Sequence, residues 1–200
     1  MLKSMCFSGH RLKKILELIS PSDILNNTDV SKARNDFLEI VKSIIYVKVN
    51  NYIDNGFRKF YIGMSNGIDI WVGEMLLDLK LSQYTDIEIV AVIPFPKHGS
   101  NFSAKDKVLY NKILEQASQV VYMDYRDTSW SYLERNRYMV DNSTHLLAFI
   151  YDYNSGTGYT VKYAKSLNKS VETINLLTLS EGFIKAYNNN QYFYSMMDYM

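Results

Sequence analysis

The sequence predicts an α/β fold: a Rossmann-like open, mainly parallel sheet with helices on both faces. Three observations carry this reading. Short apolar runs alternate with segments of helical periodicity along most of the chain. Those runs are nearly continuous rather than alternating, as expected of strands buried on both sides in a parallel sheet. Three of them also lead into small, glycine-bearing turns: Ser8-Gly9-His10-Arg11, Gly63-Met64-Ser65-Asn66-Gly67 and Ser155-Gly156-Thr157-Gly158. A parallel sheet gathers the turns that follow its strands at one edge, where ligands bind.

Each element follows from local pattern. Residues 3–7 read as the first strand, and 12–30, with Pro21 and Asn26-Asn27, as a mixed, partly helical excursion. Over 33–54, Phe37, Ile40, Val41, Ile44, Val47 and Tyr52 fall at helical spacing, and Asn55-Gly56 closes the helix. A second strand over 59–62 precedes a helix over 67–81 that aligns Ile70, Trp71, Met75, Leu76 and Leu79. The apolar strand 88–93 stops at Pro94-Phe95-Pro96, and 97–104 read as a surface loop. Helices over 105–117, 130–141 and 159–167 then alternate with strands over 119–123, 144–150 and 170–174. We read residues 1–187 as one domain and 188–200 as an Asn-, Tyr- and Met-rich tail with no assigned element.

Composition narrows the function classes. The 22 Lys+Arg balance 21 Asp+Glu to a net charge of +1, which argues against broad nucleic-acid or acidic-membrane binding but allows a local cationic pocket. Cys6 is the one cysteine, so neither an internal disulfide nor a thiolate cluster forms. No run approaches the roughly 20 apolar residues of a bilayer span, and Ser8 to Arg11 interrupt any leader-like stretch. The expected location is cytoplasmic, with no membrane partner. His10, His98 and His145 lack metal-ligand spacing, so no metal site is expected.

The glycine turns carry the candidate chemistry. Gly156-Thr157-Gly158, read as the turn into a helix, lets amides approach a phosphate at the helix's positive end, with hydroxyls from Thr157 and Thr160. It is neither a Walker A loop nor a GxGxxG fingerprint. Gly63 and Gly67 frame a second turn, with Asp69 in the following first helical turn. Glu74, among Trp71, Val72, Gly73, Met75 and Leu76, reads as a carboxylate near a buried interface, with Arg11 as its expected partner or else as a solvated helix residue. Arg135 and Arg137 lie about 200° apart around their helix, so one reaches a ligand and the other faces solvent or Asp141. His10 is the best functional histidine by its place in the first turn.

Taken in order, the segments 6–11, 63–74, 93–96, 135–141 and 155–164 resemble the YpsA-like branch of the SLOG superfamily, related to DprA/Smf and to the LOG phosphoribohydrolases. The resemblance implies a Rossmann-like fold and a pocket for nucleotides or nucleotide-derived ligands. By their places in the matched segments, His10, Asn66, Pro94, Asn136 and Thr160 join that pocket. Gly9, Gly63, Gly67, Gly156 and Gly158 would shape its floor, and Ser8, Arg11, Ser65, Thr157 and Arg135 would hold phosphate or ribose. The glutamate that is catalytic in LOG enzymes is replaced here by Thr160, which cannot serve as an acid or base near neutral pH.

The sequence therefore favours binding over turnover, with a nucleotide-derived small molecule as partner and no cofactor. One alternative is a LOG-like N-glycosidic hydrolase of nucleoside monophosphates using Glu74 or Asp69. Another is a protein-interaction module of bacterial or phage regulation with a vestigial pocket, for which the aromatic tail offers a surface for a partner protein or a second copy of the chain. A nucleic-acid partner is the least favoured reading, since no lysine-rich run is present.

Overall fold

The computed structural model describes residues 3–24, 29–124 and 126–189. Strands β1 (Ser4–Gly9), β2 (Lys59–Ile62), β3 (Glu88–Ile93), β4 (Gln119–Tyr122), β5 (His145–Ile150) and β6 (Ser170–Asn175) form one sheet in the order β4-β3-β2-β1-β5-β6. Every neighbouring pair is parallel, with Cys6 of β1 opposite Tyr61 on one side and Leu146 on the other. The helices are α1 (Leu12–Leu16), α2 (Val30–Asp54), α3 (Ile68–Ser82), α4 (Ala104–Gln116), α5 (Ser129–Asp141), α6 (Gly156–Ser166) and α7 (Leu176–Asn188). The α/β, Rossmann-like architecture read from the sequence is the one observed.

The two-residue period of the strands divides the core in two. Met5 and Phe7 of β1, Phe60 and Ile62 of β2, and Leu147 and Phe149 of β5 face the apolar sides of α2, α3, α4 and α7. The residues between them (Cys6, Tyr61, Leu146 and Ala148) lie under Met139 and Val140 of α5 and Val161 and Ala164 of α6. From β1 to β4 the strands are added outward in one direction, with α2, α3 and α4 on one face. α5 then carries the chain back across the other face to β5, beside β1, and β6 continues the opposite way. The strand order thus reverses between β1 and β5, and the loops leaving their carboxyl ends diverge and open a crevice.

Several boundaries differ from the sequence reading. β1 runs to Gly9 rather than residue 7, because Ser8 and Gly9 still pair with Ala148 and Phe149 of β5. The mixed 12–30 stretch contains α1 and a 3₁₀ turn over Pro21–Asp23, closed by a capping box between Ser20 and Asp23. α6 starts at Gly156, so Gly156-Thr157-Gly158 is its first turn and not the connecting loop. α7 follows β6 directly: the Asn175 side chain accepts from the amides of Leu177 and Thr178. Phe183 of α7 packs on Phe37 of α2 with ring centroids 5.5 Å apart. Of the tail, residues 190–200 lie outside the described residues. Among the described residues, no helix is long and apolar enough to cross a membrane.

Gly9 sets how closely α3 approaches the end of β1. A Cβ there would stand 2.4 Å from Cγ1 and 2.5 Å from Cβ of the buried Ile68. Overpacking of this kind costs about 1–3 kcal/mol. Gly9→Ala is therefore expected to lower the urea midpoint by a corresponding amount without changing the slope of the transition; an unchanged midpoint would refute the packing argument.

Candidate functional site

At the β1/β5 reversal lies a crevice of about 390 Å³. Its floor is the end of β1, with Phe7, Ser8, Gly9 and His10. Its walls come from Ser65 and Asp69 after β2, from one side of α5, and from Ser155, Gly156 and Thr157 at the start of α6. The charges along it are Arg11, Lys13, Lys14 and Arg135 against a single carboxylate, Asp69.

Arg135 and Asp69 are both buried, 6% and 5% exposed, with Nη1 and Oδ2 3.7 Å apart. Burial raises the pKa of the Asp69 carboxyl, opposed by the Arg135 guanidinium and by the Ser65 amide that donates to it at 3.1 Å. Burial likewise lowers the guanidinium's pKa, opposed by Asp69. Arg135 Nη1 also donates to Ser65 Oγ at 2.9 Å and to the Gly63 carbonyl, and its Nε donates to Asn136 Oδ1 at 3.0 Å. Asn136 Nδ2 donates to Thr160 Oγ1 at 2.8 Å, and that hydroxyl donates to the Gly156 carbonyl at 2.9 Å. A continuous polar relay therefore joins the turn after β2, through α5, to the first turn of α6.

The other turns are tied just as firmly. His10 Nε2 accepts from the amides of Tyr151 and Asp152 at 3.1 and 3.2 Å, so the neutral ring carries its proton on Nδ1. Burial pushes its pKa down to about 4, with Lys14 adding to the effect. Lys14 Nζ is 2.8 Å from Asp152 Oδ2. Gly67, at φ +104°, lets its turn cross the one after β1 in an antiparallel bridge to Arg11; a Cβ there would meet the Leu12 nitrogen at 2.7 Å. Ser155 caps α6 by accepting from the Gly158 amide at 3.2 Å. The amides of Gly156 and Thr157 remain as first-turn donors without intrahelical acceptors, and both residues line the crevice.

The sequence-predicted residues thus separate into groups. Ser8, Gly9, His10, Arg11, Ser65, Asp69, Arg135, Asn136, Gly156 and Thr157 come together at the crevice. Gly63, Gly67, Gly158 and Thr160 lie behind its wall as supports. Asn66 lines a neighbouring cavity and donates to Asp106 at 2.7 Å. Pro94 is buried after β3 and lines neither cavity. Of the two readings of Glu74 the pairing with Arg11 is corrected and the solvated helix residue holds: Glu74 is exposed, beside Lys42, Trp71 and Met75 in a groove between α2 and α3, and does not line the crevice. Five positions beyond Asp69 correspond to about 140° around the helix, so the two carboxylates cannot share a face. Arg137 is half-buried at the surface, away from the crevice, and is not paired with Asp141. It stacks 5.2 to 5.6 Å from the rings of Trp130, Tyr159 and Tyr163, while Asp141 accepts from the Tyr163 hydroxyl.

Sequence reasoning missed Lys13, Lys14, Ser155, Tyr132, Leu133 and Met139. The signal was present: Tyr132, Arg135, Asn136 and Met139 recur at helical spacing, so a polar pair occupies the side of α5 that a core helix keeps apolar. Arg11 lies over Tyr132 at 5.1 Å and Arg135 at 5.7 Å, placing that ring against both guanidinium groups.

Two outcomes follow. A Cβ on Gly158 would lie 2.2 Å from the Tyr153 carbonyl oxygen, whereas one on Gly156 meets nothing within 4 Å. Gly158→Ala should therefore cost about 1–3 kcal/mol or more in chemical unfolding, and Gly156→Ala should cost none. His10 gives a pH signature. Its folded pKa is depressed from 6.5 to about 4, so the unfolded chain takes up the proton first as pH falls. Its contribution is intact above about 6.5 and is lost on descending toward about 4. His10→Gln should flatten that part of the stability–pH curve, and an unchanged slope would contradict the assignment.

Among known families, the model YpsA, described as "YspA SLOG family", matches residues 28–181, a span that omits β1 and the Ser8–Arg11 turn. The UPF0398 protein of Staphylococcus haemolyticus is 28% identical over 114 residues, covering 56% of this chain and 60% of its own. The UPF0398 protein YpsA of Bacillus subtilis is 24% identical over 125 residues, covering 62% and 68%. This chain accordingly spans about 60% of the staphylococcal relative's length. Among solved structures, DNA processing protein A (DprA) from Streptococcus pneumoniae superimposes with a TM-score of 0.52 at 12% identity, over 94% of this chain and 56% of that one, a likeness of fold. With the family model matching most of its length, the chain belongs to the YpsA SLOG family.

Proposed function

We propose that this protein binds a nucleotide or nucleotide-derived ligand, phosphate first, in the β1/β5 crevice, and acts as a cytoplasmic sensor or regulator built on a single domain. One observation carries the reading: the first turn of α6 and the side chains of Arg11, Lys13 and Arg135 converge on a crevice at the sheet reversal. Two unpaired amides at the positive end of an 11-residue helix suit an anion. Arg11 and Lys13 are exposed and free to close on it. Ser8, 6% exposed, and Thr157, 7% exposed, add hydroxyls at the floor and rim.

The same geometry supports binding over turnover. Among the described residues Asp69 is the one carboxylate lining the crevice, and it is already held by Arg135 and the Ser65 amide. A base committed to a buried ion pair is poorly placed to take a substrate proton.

Nucleoside mono- and diphosphates and cyclic dinucleotides, added to the purified protein, should raise its thermal midpoint. A ligand at 100 times its Kd stabilises by about 2.7 kcal/mol. Gly156→Glu should abolish the shift while leaving the free protein stable, since there is open space for the side chain and its carboxylate is itself favoured at the helix N-terminus, where it takes the ligand's place and repels a phosphate. Arg11→Ala should weaken binding about tenfold, the value of one charge-assisted contact. If no phosphate-bearing compound moves the midpoint, the reading fails.

A further inference from the structure

Beside the crevice lies a second cavity of about 270 Å³ with a different character. The two share Arg11, Ser65 and Tyr132 in their walls, so one ligand can span both. Beyond that partition one side is aromatic, with Phe95 after β3 and Phe102 before α4, while Asn66, Lys97, Asn101 and Asp127 make the rest polar. His98 sits among them, 8% exposed, with ring centroids 5.6 Å from Phe95, 5.6 Å from Phe102 and 5.8 Å from Tyr132. Its Nδ1 is buried without a hydrogen-bond partner among the described residues.

A buried nitrogen left without a hydrogen bond destabilises the fold. Nothing in the packing of four rings requires an imidazole rather than a phenyl group. Burial, reinforced by the charges of Arg135 and Arg11, pushes its pKa down to about 3, so the ring is neutral in ordinary buffer. A neutral imidazole offers one donor and one acceptor. A half-turn of the ring exchanges Nδ1 with Cδ2 and keeps its outline, so the nitrogen can be reoriented without repacking its neighbours.

Resting on the phosphate reading above, we infer that this second cavity is the nucleobase subsite, and that His98 sets which base is accepted. The ligand class is then a nucleoside 5′-phosphate. Its phosphate meets the first turn of α6, its sugar passes Tyr132 and Arg11, and its base lies against the aromatic side of the cavity, where a turn of the imidazole brings the His98 nitrogen to the base edge. Stacking of a base on an aromatic ring adds affinity that a bare sugar phosphate cannot gain. A free inorganic phosphate, or a sugar phosphate without a base, leaves the cavity and the imidazole unused.

The experiment is calorimetric titration of the full chain with ribose 5-phosphate, AMP, GMP, CMP and UMP. At least one nucleotide should bind about tenfold or more tightly than ribose 5-phosphate, matching about 1.4 kcal/mol, with a clear order among the bases. His98→Phe keeps the ring packing and should collapse that order while leaving ribose 5-phosphate affinity unchanged. Ser100 is exposed on the cavity rim. Ser100→Trp, which leaves the core untouched, should block the nucleotides and spare ribose 5-phosphate. If ribose 5-phosphate binds as tightly as every nucleotide, or if both variants leave the base preference intact, the subsite is overturned and the phosphate reading survives. If none of the five compounds binds, the nucleoside 5′-phosphate assignment is overturned, and the phosphate reading is decided separately by the diphosphates and cyclic dinucleotides of the thermal panel.

Discussion

The arrangement depends on one buried guanidinium. Arg135 is placed out of water at the sheet's carboxyl edge, where an unpaired charge would cost several kcal/mol. Its partners arrive from three directions: the Asp69 carboxylate, the Ser65 hydroxyl with the Gly63 carbonyl, and the Asn136 amide. Satisfying Arg135 therefore fixes the turn after β2 against α5. Asn136 and Thr160 extend the same requirement to α6. Gly63 belongs to this constraint, because a Cβ there would stand 2.8 Å from both Arg135 Nη1 and Asp69 Oδ2.

That economy limits what a ligand can use. In a glycine turn the backbone amides are the expected anion donors, yet most here already have acceptors. His10 takes two of them, Asp69 takes the Ser65 amide, and Ser155 takes that of Gly158. The turns thus form tied-down walls, and the groups left facing the crevice are the first two amides of α6 and the cations of the first loop. A rigid, largely pre-formed site with few free donors is the usual character of small-molecule pockets.

Much of the fold was legible in the sequence. β2 and β3 stand where the apolar runs put them, and the other predicted elements shift by one to three residues at their ends, α2 and α6 each beginning three residues earlier than read. The period of two or 3.6 survives in any context that buries one face, so it can be read without the partner. Ends are harder. Whether Ser8 and Gly9 extend β1 depends on β5, and whether Gly156 starts a helix depends on Ser155 folding back to cap it. α7 escaped notice because its amino end is set by a cap from Asn175, the last residue of β6.

By itself the sequence determined the alternation of elements, the parallel sheet and the three turns that meet at one edge, because these follow from local hydrophobic period and from glycine. Only the tertiary structure decided the roles within that edge. It turned Glu74 to the opposite side of α3, made His10 a structural acceptor, and set Arg135 rather than Arg137 at the crevice. It also brought the residues around His98 alongside the β1/β5 crevice. The physical reason is that the direction of a side chain along an element is local, whereas what it meets there is supplied by residues dozens of positions away.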